Sequence, residues 1–152
     1  ELKTETLFTG VAAEDRQQYV QEIITLVKAY GMINNVTWLS LEPTLLADVK
    51  AVCPAVTLVY AVNAVTSERL QSAAALKNAT NDVIISVSIE NCQKTTSSID
   101  NIVKICIRDG IKMGAWFANN DSGAYIINAH PYVSEFTCNQ LLPGNVLYYN
   151  SI

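Results

Sequence analysis

Residues 83–89, Val-Ile-Ile-Ser-Val-Ser-Ile, form a nearly continuous apolar run. Such a run is typical of a β-strand that is covered on both faces, as strands are when they lie inside a parallel sheet with helices packed on it. A cluster of turn-forming residues at 78–82 precedes the run, and a helical pattern follows it. The stretch therefore predicts an α/β protein.

Strand and helix patterns alternate along the rest of the chain. Apolar spacing and end signals predict helices over residues 14–30, 43–52, 67–76, from 97 or 98 to a stop at Gly110, and 121–129. β-Branched and aromatic residues predict strands over 1–5, 36–41, 56–60, 112–117 and 133–138. This alternation favours a parallel sheet with helical crossovers. About six strands are expected, so two architectures stay open: a doubly wound sheet, or an eight-stranded β/α barrel that lacks its first strands.

Composition excludes several classes of function. The chain has 152 residues, 50% of them hydrophobic, which suits one domain with a substantial core. Its formal net charge of -4 does not favour binding to nucleic acid or to an anionic membrane. We expect no transmembrane segment, because no run approaches the ~20 apolar residues that span a bilayer. The sequence contains no glycine-rich phosphate-binding loop, so it gives no support for nucleotide chemistry.

The four cysteines are Cys53, Cys92, Cys106 and Cys138. They are widely scattered without a C-x-x-C motif, which argues against a zinc site. Buried free thiols and a disulfide both fit this pattern. The compartment is left open, with an exported or cell-envelope protein favoured.

Several short motifs occur in an order that resembles one family. Residues 1–3, Glu-Leu-Lys, are similar to the E-[IL]-K strand of glycerophosphodiester phosphodiesterases. Residues 39–42, Leu-Ser-Leu-Glu, resemble that family's S-F-[DE] strand end, and residues 116–119, Trp-Phe-Ala-Asn, resemble its W-T-V-N strand. The helix predicted after residues 39–42 ends in Val-Cys-Pro at 52–54, which resembles a family segment that ends in leucine, lysine or arginine and then proline. In residues 132–139 only Val133 and Thr137 match the family's terminal strand well, and Cys138 stands where an aspartate is usual.

The resemblance spans the whole chain and implies a TIM-type β/α barrel lacking its first strands. Residues 1–152 would form a single domain, the C-terminal portion of the barrel, from about strand three to strand eight. The family hydrolyses a glycerol phosphodiester to an alcohol and sn-glycerol 3-phosphate, with a divalent metal, often calcium or magnesium, and two acid–base histidines. The family's histidines lie in H-R-G and H-D motifs on the first barrel strands, and this sequence contains neither motif. Its one histidine, His130, lies in a later part of the chain. The resemblance therefore implies that the acid–base pair lies outside this chain.

The resemblance assigns site roles to three residues, and each of them also has an alternative, structural explanation. Glu1 matches the family's metal-binding glutamate, and a carboxylate suits calcium or magnesium; the alternative is a solvated terminal residue. Lys3 matches the lysine near the phosphate, where it would act in catalysis and substrate binding; the alternative is a surface lysine. Trp116 would seat the glycerol moiety, or it is a core aromatic.

Four further residues have weaker assignments. Glu42 and Asn119 fall at strand ends, where barrel sites gather, but helix capping and turn formation explain them equally well. Ser40 lines the pocket or is a satisfied buried hydroxyl. His130 is expected to be a loop residue.

An incomplete barrel also predicts a partner. Open strand edges and an uncovered apolar interior call for the missing N-terminal segment or a second copy of the chain. The expected small-molecule partner is a glycerophosphodiester. A non-catalytic module that recognises glycerol-phosphate polymers or a cell surface is the alternative function, favoured by Cys138 in place of aspartate. An unrelated open α/β domain is a third possibility.

Overall fold

A computed structural model describes residues 11–88, 99–116 and 133–137. The helices are α1 (Ala13–Ala29), a 3₁₀ helix (Ile33–Asn35), α2 (Pro43–Val52), α3 (Ser67–Leu76) and α4 (Ile99–Arg108). The strands are β1 (Thr37–Ser40), β2 (Thr57–Val62), β3 (Val83–Ser88), β4 (Lys112–Trp116) and β5 (Val133–Thr137). The predicted alternation is confirmed over these elements. The strand predicted at residues 1–5 and the helix at 121–129 lie outside the described residues.

The order of the strands decides between the two architectures. The five described strands follow one another across the sheet in chain order, β1-β2-β3-β4-β5. All four neighbouring pairs are parallel. A doubly wound sheet reverses its strand order at a switch point, whereas a β/α barrel adds each strand beside the previous one. The described sheet therefore has the order of a barrel.

Local signals in the sequence set the ends of α1. Glu14 and Asp15 lie in its first turn and Lys28 lies in its last, which complements the helix dipole. Gly31 adopts a φ of 68°, in the left-handed region that glycine enters without steric cost. Its N–H donates to the Lys28 carbonyl at 2.9 Å, so the helix ends at the predicted stop.

The cap of α3 corrects a prediction. The pattern indicated Ser67 as the N-cap, but Ser67 is the first helical residue and Thr66 is the cap. The Thr66 hydroxyl accepts a hydrogen bond from the Arg69 N–H at 3.3 Å. Both residues carry a hydroxyl, so the backbone conformation rather than the side-chain type decides which one caps the helix.

The helix-facing core is one cluster that joins alternate strand residues to the helices. Its strand members are Trp38, Leu58, Tyr60, Val62, Val83, Ile85, Val87 and Met113. The residues between them face the inner side of the sheet, because successive side chains in a strand point to opposite faces. Val59 and Ile84 on that inner side are also buried. β2 and β3 are therefore covered on both faces, as the apolar run predicted.

An ion pair joins α1 to α2 beside this core. The Arg16 guanidinium Nε contacts the Asp48 carboxylate, and the residue Asp48 is only 8% exposed. The Gln17 amide also donates to Asp48, at 3.4 Å. These contacts fix the two helices side by side on the outer surface of the sheet.

Candidate functional site

The inner face of the sheet carries small and polar residues toward the carboxyl ends of β3 and β4. The strand register pairs Ser86 with Gly114 and Ser88 with Trp116. Ile84, one pair earlier on the same face, is apolar. Active sites of β/α barrels form at the carboxyl ends of the strands. Ser88 and Trp116 therefore lie at the barrel mouth, at the ends of β3 and β4.

The Trp116 side chain is half-buried at this mouth. Its indole Nε1 donates a hydrogen bond to the Ser86 main-chain carbonyl, at 3.1 Å. The ring is thus anchored to the neighbouring strand by its polar edge, while part of it remains exposed. This is the position that the sequence resemblance implies for Trp116, and its contact with glycerol stays a prediction.

The structure does not test the roles that the resemblance assigns to Glu1 and Lys3. Glu1 and Lys3 lie outside the described residues, and so do Asn119 and His130. Their proposed placement around Trp116 stays a prediction.

Ser40 does not line the inner face. It lies in register with Tyr60, on the helix-facing side, and is 1% exposed. Its hydroxyl accepts a hydrogen bond from the Glu42 N–H at 3.0 Å. The interpretation of Ser40 as a satisfied buried hydroxyl is therefore confirmed.

Glu42 is exposed at the N-cap of α2, but its side chain makes no capping hydrogen bond. Its charge acts on the helix-facing Tyr60. Burial raises the pKa of the Tyr60 phenol, Arg69 opposes this increase, and Glu42 adds to it. Because two strands separate β1 from β4, Glu42 and Trp116 do not stand on neighbouring strands.

The amino ends of the strands have a different character from the mouth. Lys112 Nζ and Asp82 Oδ2 form an ion pair at 2.7 Å, and this hydrogen bond lowers the pKa of the Asp82 carboxyl. A cavity of about 200 Å³ lies at the same end, lined in part by Lys28, Cys53 and Thr57. In β/α barrels this end serves stability rather than catalysis, so the cavity is not the candidate site.

The described residues do not themselves make a metal centre. Within 11–88, 99–116 and 133–137, no three His, Cys, Asp or Glu side chains come together in a way that could hold a metal ion. The predicted metal ligand, Glu1, lies outside these ranges, so the metal stays a prediction.

Among the described residues, no helix is long and apolar enough to cross a bilayer.

Two of the four cysteines are described, and both are free thiols. Cys106 is 2% exposed, and burial raises the pKa of its thiol to about 11, with Asp109 adding to the increase. The interpretation as buried free thiols is confirmed for Cys106, whereas Cys53 is a free thiol that is only partly buried. Cys92 and Cys138 lie outside the described residues.

Sequence reasoning missed three residues of the inner face at or next to the mouth, Ser86, Ser88 and Gly114. A signal for the serines was present, since they are two residues apart in an otherwise apolar strand and must share one face. The helix-facing core shows that this face is the inner one, and the register shows that Gly114 shares it.

No family model matches the chain, and no curated protein matches it by sequence. Several solved structures share its fold, including the two that follow. One is a proposed glycerophosphodiester phosphodiesterase from Galdieria sulphuraria, with a TM-score of 0.70 and 18% identity over 99% of this chain and 56% of that one. The other is a glycerophosphodiester phosphodiesterase from Parabacteroides distasonis ATCC 8503, with a TM-score of 0.70 and 14% identity over 92% of this chain and 53% of that one.

The chain has the fold of part of a β/α barrel. It spans about half the length of each of these two structures. The resemblance that the motifs indicated is thereby confirmed at the level of the fold.

Proposed function

We propose that this chain is part of a barrel that hydrolyses a glycerol phosphodiester to an alcohol and glycerol 3-phosphate. The observation that carries the proposal is the position of Trp116. It lies at the carboxyl end of β4, on the inner face, in a sheet that matches the fold of two glycerophosphodiester phosphodiesterases. An indole that is partly exposed at a barrel mouth presents an apolar surface to the C–H groups of a bound polyol.

The remaining roles follow from the sequence resemblance. Glu1 would hold a calcium or magnesium ion, which would polarise the phosphodiester and offset its negative charge. Lys3 would contact the phosphoryl oxygens on which charge develops. Two histidines outside this chain would supply the acid and the base. The Ser88 hydroxyl, next to Trp116 in register, is suited to hydrogen bonding with a glycerol hydroxyl.

Ligand titration tests this proposal. Glycerophosphocholine would be titrated into the purified chain, with and without calcium, and binding followed by calorimetry. We expect Trp116→Ala to weaken binding by about tenfold, equivalent to ~1.4 kcal/mol. Ile107→Ala is the control, because Ile107 on α4 is a 53% exposed apolar residue away from the mouth. Equal affinities for the wild type and Trp116→Ala would contradict the proposed site.

Two further variants separate the charged roles. Glu1→Gln should remove the calcium dependence of binding but leave binding without metal unchanged. Lys3→Met should weaken binding of the phosphodiester at all calcium concentrations. Without the histidines, the chain should bind but not hydrolyse the ligand, and turnover by the purified chain would overturn that part of the proposal.

A non-catalytic module that binds glycerol-phosphate polymers is the second candidate. Cys138, which replaces the aspartate usual in the terminal strand, favours it. Both functions use the same mouth, so Trp116→Ala should weaken ligand binding in either case. Turnover in a form of the protein that contains an intact acid–base pair would support the enzyme and exclude the binding module.

We also propose that a partner completes the barrel. The part of the chain that the structure describes supplies five parallel strands, and a closed barrel has eight. Leu26 and Tyr30 on the outer side of α1 are 58% and 75% exposed, which leaves apolar surface for a neighbouring helix. The partner would be an N-terminal segment or a second copy. Light scattering that finds a stable monomer with no additional polypeptide would contradict this proposal.

A further inference from the structure

The hydrogen bond of Trp116 fixes the direction in which its ring leans. In the register of β3 and β4, Trp116 is paired with Ser88, but its indole N–H donates to the carbonyl of Ser86. Ser86 is paired with Gly114, one pair closer to the amino ends on the same inner face. The ring therefore leans back from the mouth toward the level of the Ser86–Gly114 pair.

Gly114 lies on the same face as Trp116 and two residues before it. Glycine in a strand interior costs roughly 0.5–1 kcal/mol relative to alanine, so it usually has a local reason. Backbone strain is not the reason here, because among the described residues the positive φ angles belong to Gly31 and Gly110. A register shift toward β5 falls between Met113 and Gly114, yet a bulge with ordinary φ also accepts alanine. Gly114 is buried, so a side chain at this position would have to share the inner face with its neighbour Trp116.

We infer that Gly114 is a positioning residue for Trp116. The absence of a side chain at position 114 lets the indole lean onto β3 and reach the Ser86 carbonyl. The ring is then held with one edge on the sheet and a face toward the mouth. A larger side chain at position 114 would stand on the same face and push the indole away from Ser86. The contact of that ring with a glycerol phosphodiester rests on the proposed function.

Substitutions of increasing size at position 114 test the inference. They are made in a Trp38→Phe background, so that Trp116 is the only tryptophan and its fluorescence and indole N–H resonance are unambiguous. Gly114→Val should abolish the protection of the indole N–H from solvent exchange and shift its resonance and the emission maximum. Gly114→Ala should give a smaller change of the same sign. Ala115→Val, on the next residue and the opposite face, is the matched control and should leave the indole signals unchanged.

Binding adds a second readout. Gly114→Val should weaken glycerophosphocholine binding roughly three- to tenfold, the loss expected for one hydrogen bond. In a Trp116→Ala background the same change should cost nothing further, because no aromatic ring is left for position 114 to displace. Circular dichroism shows whether each variant is folded. If Gly114→Val does not fold, the indole exchange and emission of Gly114→Ala test the inference.

The outcomes separate this inference from the proposed function. Unchanged indole exchange and emission in folded Gly114→Val and Gly114→Ala variants would overturn the inference, whatever the ligand affinity. The predicted indole response in a protein that binds no glycerophosphocholine would support the role of Gly114 and contradict the proposed function instead.

Discussion

Replacing Ile85 with alanine should destabilise the protein by about 2–5 kcal/mol. Ile85 is fully buried in β3, on the helix-facing side, between its register partners Tyr60 and Met113. The substitution removes about three carbon groups at ~0.8 kcal/mol each, which alone gives ~2.4 kcal/mol. A cavity term adds to this, because the neighbouring strands are fixed by backbone hydrogen bonds and collapse only partly into the space.

Denaturant unfolding followed by circular dichroism measures this loss. In thermal unfolding, each kcal/mol should lower the Tm by roughly 2–4 °C in a domain of this size. Ile107→Ala is the matched control, since Ile107 lies on α4 and is 53% exposed, and its effect should stay within about 0.5 kcal/mol. If the two variants lose equal stability, Ile85 is not packed in the core between the sheet and the helices.

Three further predictions concern single side chains. Asp48→Asn should lower the free energy of unfolding by about 1–3 kcal/mol, because it leaves the partly buried Arg16 without its charged partner. Asp109→Asn is the control. It breaks the more exposed pair with Arg108 and should change the free energy of unfolding little. Stability should fall as pH rises from about 9 to about 11, because the buried Cys106 thiol, with a pKa of about 11, keeps a proton that the unfolded thiol loses above 9.0. Titration of the unfolding free energy checks this, and Cys106→Ala should flatten the slope; an equal slope in the variant would contradict the assignment. Trp38→Phe should lower the free energy of unfolding by less than about 2 kcal/mol, because the buried Trp38 Nε1 has no hydrogen-bond partner among the described residues. A larger decrease in denaturant unfolding would contradict this, since it would mean that the substitution breaks a hydrogen bond.

Sequence patterns predicted most of the described fold because its local signals agree with one another. α2 begins at Pro43 and ends at Val52, the bounds that proline and apolar spacing indicated. β2 runs two residues beyond its predicted end, since Ala61 and Val62 pair with Ser86 and Val87. Such pairing depends on the neighbouring strand, which local propensity does not contain.

The candidate site was only partly predictable, for a reason of the same kind. The alternating serines of β3 are visible in the sequence, but which face of the strand is the inner one depends on the register with β2 and β4. Ser40 shows this clearly, because a shift of one residue in β1 would have placed it on the inner face instead of against Tyr60. The order of the strands likewise required the structure, since alternating strands and helices fit both a barrel and a doubly wound sheet.

The most direct test of the proposed site is a crystal structure of the chain with glycerophosphocholine and calcium. We predict that the ligand lies against the indole of Trp116, with the Glu1 carboxylate on the cation and the Lys3 ammonium on the phosphoryl oxygens. A ligand bound elsewhere, or Glu1 and Lys3 directed into solvent away from Trp116, would contradict the proposed phosphodiester site.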